Sequence, residues 1–211
     1  MTTRLNKSGR KASLFHEGDY LSSLGKNRDN LLVEHIGPKN IRCTFFEFKV
    51  RRPRYDASLV SGDLKAFEEG LEKKIGVAFK QEINLCRGLQ DEIRVIPGLS
   101  VQDVTRWLFS VVVTDPFPSM RIMIDSIRAR LAWLLRRPNV KYHGPFVFSL
   151  LEFEQLETLT PNRISNLLID WESGPWRNLP FRSFYWSRTK GTSKENEYVS
   201  GLVKQHLIRL T

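Results

Sequence analysis

Asp29-Asn30-Leu31-Leu32-Val33 and Cys43-Thr44-Phe45-Phe46-Glu47-Phe48-Lys49-Val50, with Gly37-Pro38-Lys39-Asn40 between them, decide the fold of this 211-residue chain. Proline at the second position of a tight turn is pre-set for its backbone angle, so the two apolar runs read as the arms of a hairpin. The second arm, Ile41 to Val50, is rich in β-branched and aromatic residues, which suit a half-buried pleat. Alternation with a period of two places Phe46 and Phe48 on one face, and Phe45, Glu47 and Lys49 on the other. Arg51-Arg52-Pro53-Arg54 ends the strand.

Beyond the hairpin, Leu64, Phe67, Leu71, Ile75, Ala78 and Phe79 recur at spacings of three and four. That stripe predicts a helix from about Gly62 to Leu85, capped by Ser61 or Asp63 and ended near Gly88. A strand pair follows, Glu92–Ile96 and Trp107–Thr114. Leu108-Phe109-Ser110-Val111-Val112-Val113 is nearly continuous apolar sequence, as in a strand covered on both faces. A helix from about Met120 to Arg136 is stopped by Pro138. Pro145–Phe148 reads as another buried strand, Leu151–Leu159 and Asn162–Trp171 as helices, and Lys194–Leu210 as a last helix. Strands alternating with helices imply an α/β domain whose mixed central sheet is flanked by helices, with a helical C-terminal extension.

Composition narrows the class further. Hydrophobic residues make up 41% and charged residues 27%, an ordinary globular mixture that excludes extensive disorder and rod-like repeats. Cys43 and Cys86 are too few for a disulfide framework or a four-cysteine zinc site, and read as buried thiols of a cytoplasmic protein. No apolar run reaches the length of a membrane span, and Met1–Lys11 lacks the apolar core of a signal peptide. Residues 1–13 are expected to form a basic flexible arm, 14–115 the core, and 116–211 the remaining α/β and helical part of the same domain. Net charge is +10, and residues 1–54 carry 12 Lys/Arg against 5 Asp/Glu, or +7 of that total. Such an excess suits a polyanionic partner.

The sharpest constellation is Asp29, Glu47 and Lys49. Positions on opposite strands of a hairpin can meet, so two carboxylates and an amine can converge. Two carboxylates with waters suit a hard divalent cation such as Mg²⁺. Such an ion offsets charge on a phosphodiester and activates water, while a lysine orients the attacking water or stabilises developing charge. Glu47 and Lys49 lie in an apolar strand, where charges need partners or a function. The competing structural reading is an ordinary solvated pair on a strand edge.

The run from Asp29 to Val33, the turn, and Cys43 to Val50 resemble the core of the PD-(D/E)XK, or restriction-endonuclease-like, nuclease superfamily. In that family an acid on one strand precedes an acid-x-lysine motif on the next, and a following helix often carries a glutamine. The similarity covers about residues 25–115. It implies that Asp29 and Glu47, with the carbonyl of Phe48, hold Mg²⁺ or Mn²⁺, that Lys49 is the catalytic lysine, and that Gln81 is the helix glutamine. Arg28, Arg51, Arg52, Arg54 and Lys74 would contact nucleic acid, DNA in preference to RNA, and a homodimer is a possible assembly. Arg28 stands where the family often has proline. The 28 residues before Asp29 imply a shortened N-terminus, and Asp19 is an alternative first acid that lacks the following apolar run.

Other motifs carry less. His16, His35, His143 and His206 show no pairing at i, i+4. No glycine-rich phosphate loop or Gly-x-Ser-x-Gly elbow is present. Asp115 reads as a turn residue before Pro116, and Glu152, Glu154 and Glu157 as the wet face of a helix. Trp176, Phe181, Tyr185 and Trp186 among arginines could stack on bases, but packing on the core is favoured because an open apolar patch would be sticky. The functional expectation is a Mg²⁺-dependent nuclease. The alternatives are a non-catalytic nucleic-acid-binding protein on the same fold, and a protein-interaction module whose basic surface serves solubility.

Overall fold

The computed structural model describes residues 12–15, 29–49, 69–70, 72–92, 95–96, 98–114, 121–135, 140–158, 163–177 and 179–190. Five strands form one sheet in the order of the chain: β1 (Ala12–Phe15), β2 (Asp29–Gly37), β3 (Asn40–Lys49), β4 (Val104–Val113) and β5 (Lys141–Ser149). β1, β2 and β3 pair antiparallel, whereas β3–β4 and β4–β5 pair parallel. The hairpin forms where the sequence places it. Gly37 pairs with Asn40 across Pro38 and Lys39, and Lys39 takes a left-handed φ of 51°.

Parallel strands need crossovers, and helices supply them. Helix α1 (Val77–Gln90) joins β3 to β4, and α2 (Arg121–Leu131) joins β4 to β5. After β5 come α3 (Leu150–Thr158), α4 (Ile164–Ser173) and α5 (Phe181–Thr189). Each face of the sheet carries its own core. Leu31, Cys43, Phe45, Trp107 and Phe109 pack with Ile75, Phe79, Ile83 and Cys86 and with Ile124 and Ile127 of α2. On the other face, Leu32, Phe46, Leu108, Phe146 and Phe148 pack with Leu156, Leu168, Trp171, Phe181 and Phe184. Coverage on both sides is why β4 reads as an unbroken apolar run. Both cysteines are buried and unbridged, and burial, with the charge of Glu34 second, raises the Cys43 thiol far above its ordinary range.

Several boundaries differ from the sequence reading. α1 continues through Gly88 to Gln90, because Leu89 fills a place in the core that outweighs the local cost of glycine. A wide π-type turn, Glu72–Gly76, precedes α1, and the predicted caps Ser61 and Asp63 lie outside the described residues. Of the expected strand Glu92–Ile96, the described residues Glu92, Val95 and Ile96 are not in a strand. Glu92 has φ 57° and its amide donates to the Leu89 carbonyl, so it closes the helix instead. β1 occupies Ala12 and Ser13 of the expected arm, where the pattern shows no strand signal of its own. The aromatic tail packs inward: Phe181, Phe184 and Tyr185 are buried in α5. The expected helix Lys194–Leu210 lies outside the described residues. Among those described, no helix is long and apolar enough to cross a membrane.

One irregularity recruits two buried acids. β4 and β5 pair Leu108 with His143, then Ser110 with Phe146, so Gly144 and Pro145 together oppose Phe109. A bulge leaves ladder groups without their usual partners. The Ser110 amide donates to Glu82 Oε1 from the α1 side at 3.2 Å, and the Gly144 amide to Glu172 Oε1 from the α4 side at 3.3 Å. Gly144 has φ 98°, and a Cβ there would come within 2.4 Å of the Phe109 carbonyl oxygen. Only glycine fits that position.

Candidate active site

Residues of alternate parity on β3 face the layer formed by α1. Phe45 belongs to the core on that side, so Glu47 and Lys49, two and four residues on, project toward α1 as well. α1 brings Gln81 to meet them. Lys49 Nζ donates to Glu47 Oε1 and, at 3.0 Å, to Gln81 Oε1. The amine thus ties the strand to the helix, 32 residues apart in sequence. On the opposite parity, the rings of Phe46 and Phe48 meet Phe153 of α3 edge-on at 5.2 and 5.4 Å, which clamps the end of β3.

Glu47 is only 5% exposed. Its β4 neighbour in register is Val111, and that of Lys49 is Val113. An ion in such apolar surroundings requires compensation, and Lys49 provides it at Oε1. Glu47 Oε2 is buried with no hydrogen-bond partner. On the β2 side the register partner of Glu47 is Asp29. Phe48 lies one residue beyond the end of that described ladder. A buried carboxylate oxygen without a hydrogen-bond partner is the kind of oxygen ligand a hard divalent cation takes, and Asp29 is the register position across the ladder from it. Among the described residues, no group of three or more His, Cys, Asp or Glu could hold a metal ion.

Three sequence-predicted residues come together by direct bonds, Glu47, Lys49 and Gln81, and Asp29 is the register partner of Glu47. Lys74 sits in the π-type turn and is partly buried. Arg28, Arg51, Arg52 and Arg54, like Asp19 and Asp115, lie outside the described residues.

Two polar clusters carry no local signal in the sequence. The first joins β5, α2 and α4. Glu172 Oε2 lies 2.6 Å from His143 Nδ1, and Arg128 donates to Glu172 Oε1 at 2.6 Å. Burial pushes the Glu172 carboxyl up, but the hydrogen bond from His143, the charges of Arg128 and His143 and the Gly144 amide together pull it down to about 2. The second cluster surrounds Arg42. No local spacing rule points to His143: no second histidine lies four residues away, and its partner Glu172 lies 29 residues on.

No protein-family model matches the chain, and no curated protein and no solved structure matches it.

Proposed function

We propose that this chain is a metal-dependent nuclease of the PD-(D/E)XK type, hydrolysing nucleic-acid phosphodiester bonds, with DNA favoured over RNA. The observation that carries the reading is Lys49 bonded to both Glu47 and Gln81 at the position where Asp29 opposes Glu47 across the ladder. The strand pattern supports it: an antiparallel hairpin bears the acids, and a helix bearing the glutamine leads to a parallel strand. Asp29, Glu47 and the carbonyl of Phe48 would hold Mg²⁺ or Mn²⁺, which when bound supplies Lewis acidity and offsets phosphate charge. Lys49 orients the attacking water or stabilises the charge that develops on the phosphate. Gln81 holds the lysine in place, since a flexible four-carbon stem must otherwise lose its rotamer freedom at each turnover.

A non-catalytic nucleic-acid-binding protein on the same fold is the second reading. The observation favouring it is that Lys49 is ion-paired with Glu47, which supplies the compensation a buried carboxylate requires.

Cleavage of double- and single-stranded DNA with Mg²⁺ or Mn²⁺ separates the two. Loss of a positioned charge-stabilising donor typically costs about 10²–10³-fold in rate, which is the expectation for Lys49→Ala. Gln81→Ala, which removes a positioning contact from an exposed residue, is expected to cost about tenfold, or ~1.4 kcal/mol of barrier. Equal activity in wild type and Lys49→Ala rejects these roles. Salt-sensitive DNA binding with no metal-dependent product supports the second reading.

A further inference from the structure

The other face of β3 carries a different assembly. Arg42 of β3 and Arg106 of β4 are register neighbours, and Lys141 of β5 is the register partner of Arg106. A row of three cations thus crosses adjacent strands. Arg163, the residue preceding α4, joins it: its guanidinium donates to the His35 carbonyl at 2.6 Å, over the same end of the sheet. The arginines are partly buried and Lys141 is exposed.

Neighbouring cations repel, and a fold gathers them at a cost unless anions compensate. Here the protein provides little. Among the described residues no carboxylate forms an ion pair with Arg42, Arg106 or Arg163. Arg42 donates instead to Ser165 Oγ at 3.3 Å and to Asn166 Oδ1, and its Nε is buried without a partner. Among the described residues, the partner of the Arg106 guanidinium is His143 Nε2 at 3.5 Å. The nearest acid in register, Glu34, is turned to the Ser165 amide at 3.0 Å. Burial and the charge of Arg106 lower the Arg42 guanidinium, Glu34 opposes them, and Arg163 adds to the lowering. The first turn of α4 adds the positive end of a helix dipole beside Arg42.

We propose that Arg42, Arg106, Arg163 and Lys141 form a phosphoryl-binding site, taking either a small phosphate-bearing ligand or a phosphate of a nucleic-acid backbone. Guanidinium forks match the oxygens of phosphate and bind them bidentately, and a tetrahedral dianion adds counter-charge beyond that of Glu34. The site is separate from Glu47 and Lys49. It lies on the opposite face of β3 and five residues back along the strand, about 16 Å at ~3.3 Å per residue. It therefore stands whether or not the chain cleaves nucleic acid.

The test uses the full-length protein, titrated at constant ionic strength with inorganic phosphate and, separately, with a short DNA duplex without divalent metal. Saturable movement of the backbone amide NMR signals of Arg42, Arg106, Ser165 and Asn166 is expected in at least one arm. Arg106→Gln is expected to weaken that binding at least about tenfold, in line with the loss of a charge-assisted bond. Lys141→Gln, an exposed change that leaves the fold intact, is expected to weaken it severalfold and serves if Arg106→Gln does not fold. Response to inorganic phosphate supports the site with a small ligand as its source, and response to duplex alone supports a backbone phosphate. No saturable shift at these amides in either arm, or binding unchanged in the variants, overturns the proposal.

Discussion

Replacing Glu172 with glutamine removes one negative charge from a buried cluster while keeping shape and an acceptor oxygen. The carboxylate accepts from Arg128 at 2.6 Å, from the Gly144 amide at 3.3 Å, and meets His143 Nδ1 at 2.6 Å. These partners hold the acid at about 2, against an ordinary value of 4.5. At ~1.4 kcal/mol per pH unit, that displacement is worth about 3 kcal/mol of folding stability. The sign follows from proton binding. Because the folded value lies below the unfolded one, the contribution is complete above about pH 5 and is lost as pH falls through about 2. Glu172→Gln is therefore expected to cost about 3 kcal/mol at pH 7, a large share of the ~5–15 kcal/mol typical of a domain. The deficit should shrink steadily below pH 5, because the wild type loses there what the variant never had. Urea unfolding followed by tryptophan fluorescence at pH 7, 5, 4 and 3 measures both curves. Other acid effects act on both proteins and cancel in the difference. A deficit under ~1 kcal/mol at pH 7, or one that stays constant down to pH 3, would refute the reasoning.

Gly144→Ala places a Cβ at φ 98° and 2.4 Å from a backbone oxygen, so a loss of at least ~2 kcal/mol is expected in equilibrium unfolding. The control Gly37→Ala meets nothing within 4 Å and should change stability by no more than ~0.5 kcal/mol. Phe45→Ala removes a fully buried ring stacked on Trp107 at 5.5 Å and Phe109 at 5.7 Å. A loss of about 3–5 kcal/mol is expected, read as a lower urea midpoint with an unchanged slope.

Particular residues show how far local pattern reaches. Gly37-Pro38-Lys39-Asn40 encodes its own turn, since proline's fixed angle acts on neighbouring atoms only. Phe45 through Lys49 encode their own sides, because a strand alternates whatever lies around it. Glu92 shows the limit. Its neighbourhood resembles a strand, yet the helix before it runs on, because Leu89 gains more by burial in the core than Gly88 loses. β1 is similar: Ala12–Phe15 has no strand signature and exists by pairing with Leu31–Glu34. Edge pairing of that kind is supplied by the partner strand.

The amino-acid sequence by itself determined the hairpin, the α/β character, and the common side of Glu47 and Lys49. These follow from backbone stereochemistry and hydrophobic periodicity, which act over a few residues. Tertiary structure alone decided that Gln81 reaches Lys49 from another layer, that Glu172 finds His143 and Arg128 behind a bulge, and that Arg42, Arg106 and Arg163 gather at one end of the sheet with no carboxylate ion-paired to them among the described residues. Each of those contacts joins segments far apart in the chain. Their geometry is set by how helices pack on a sheet, so the same residues at the same spacings in another packing would not meet.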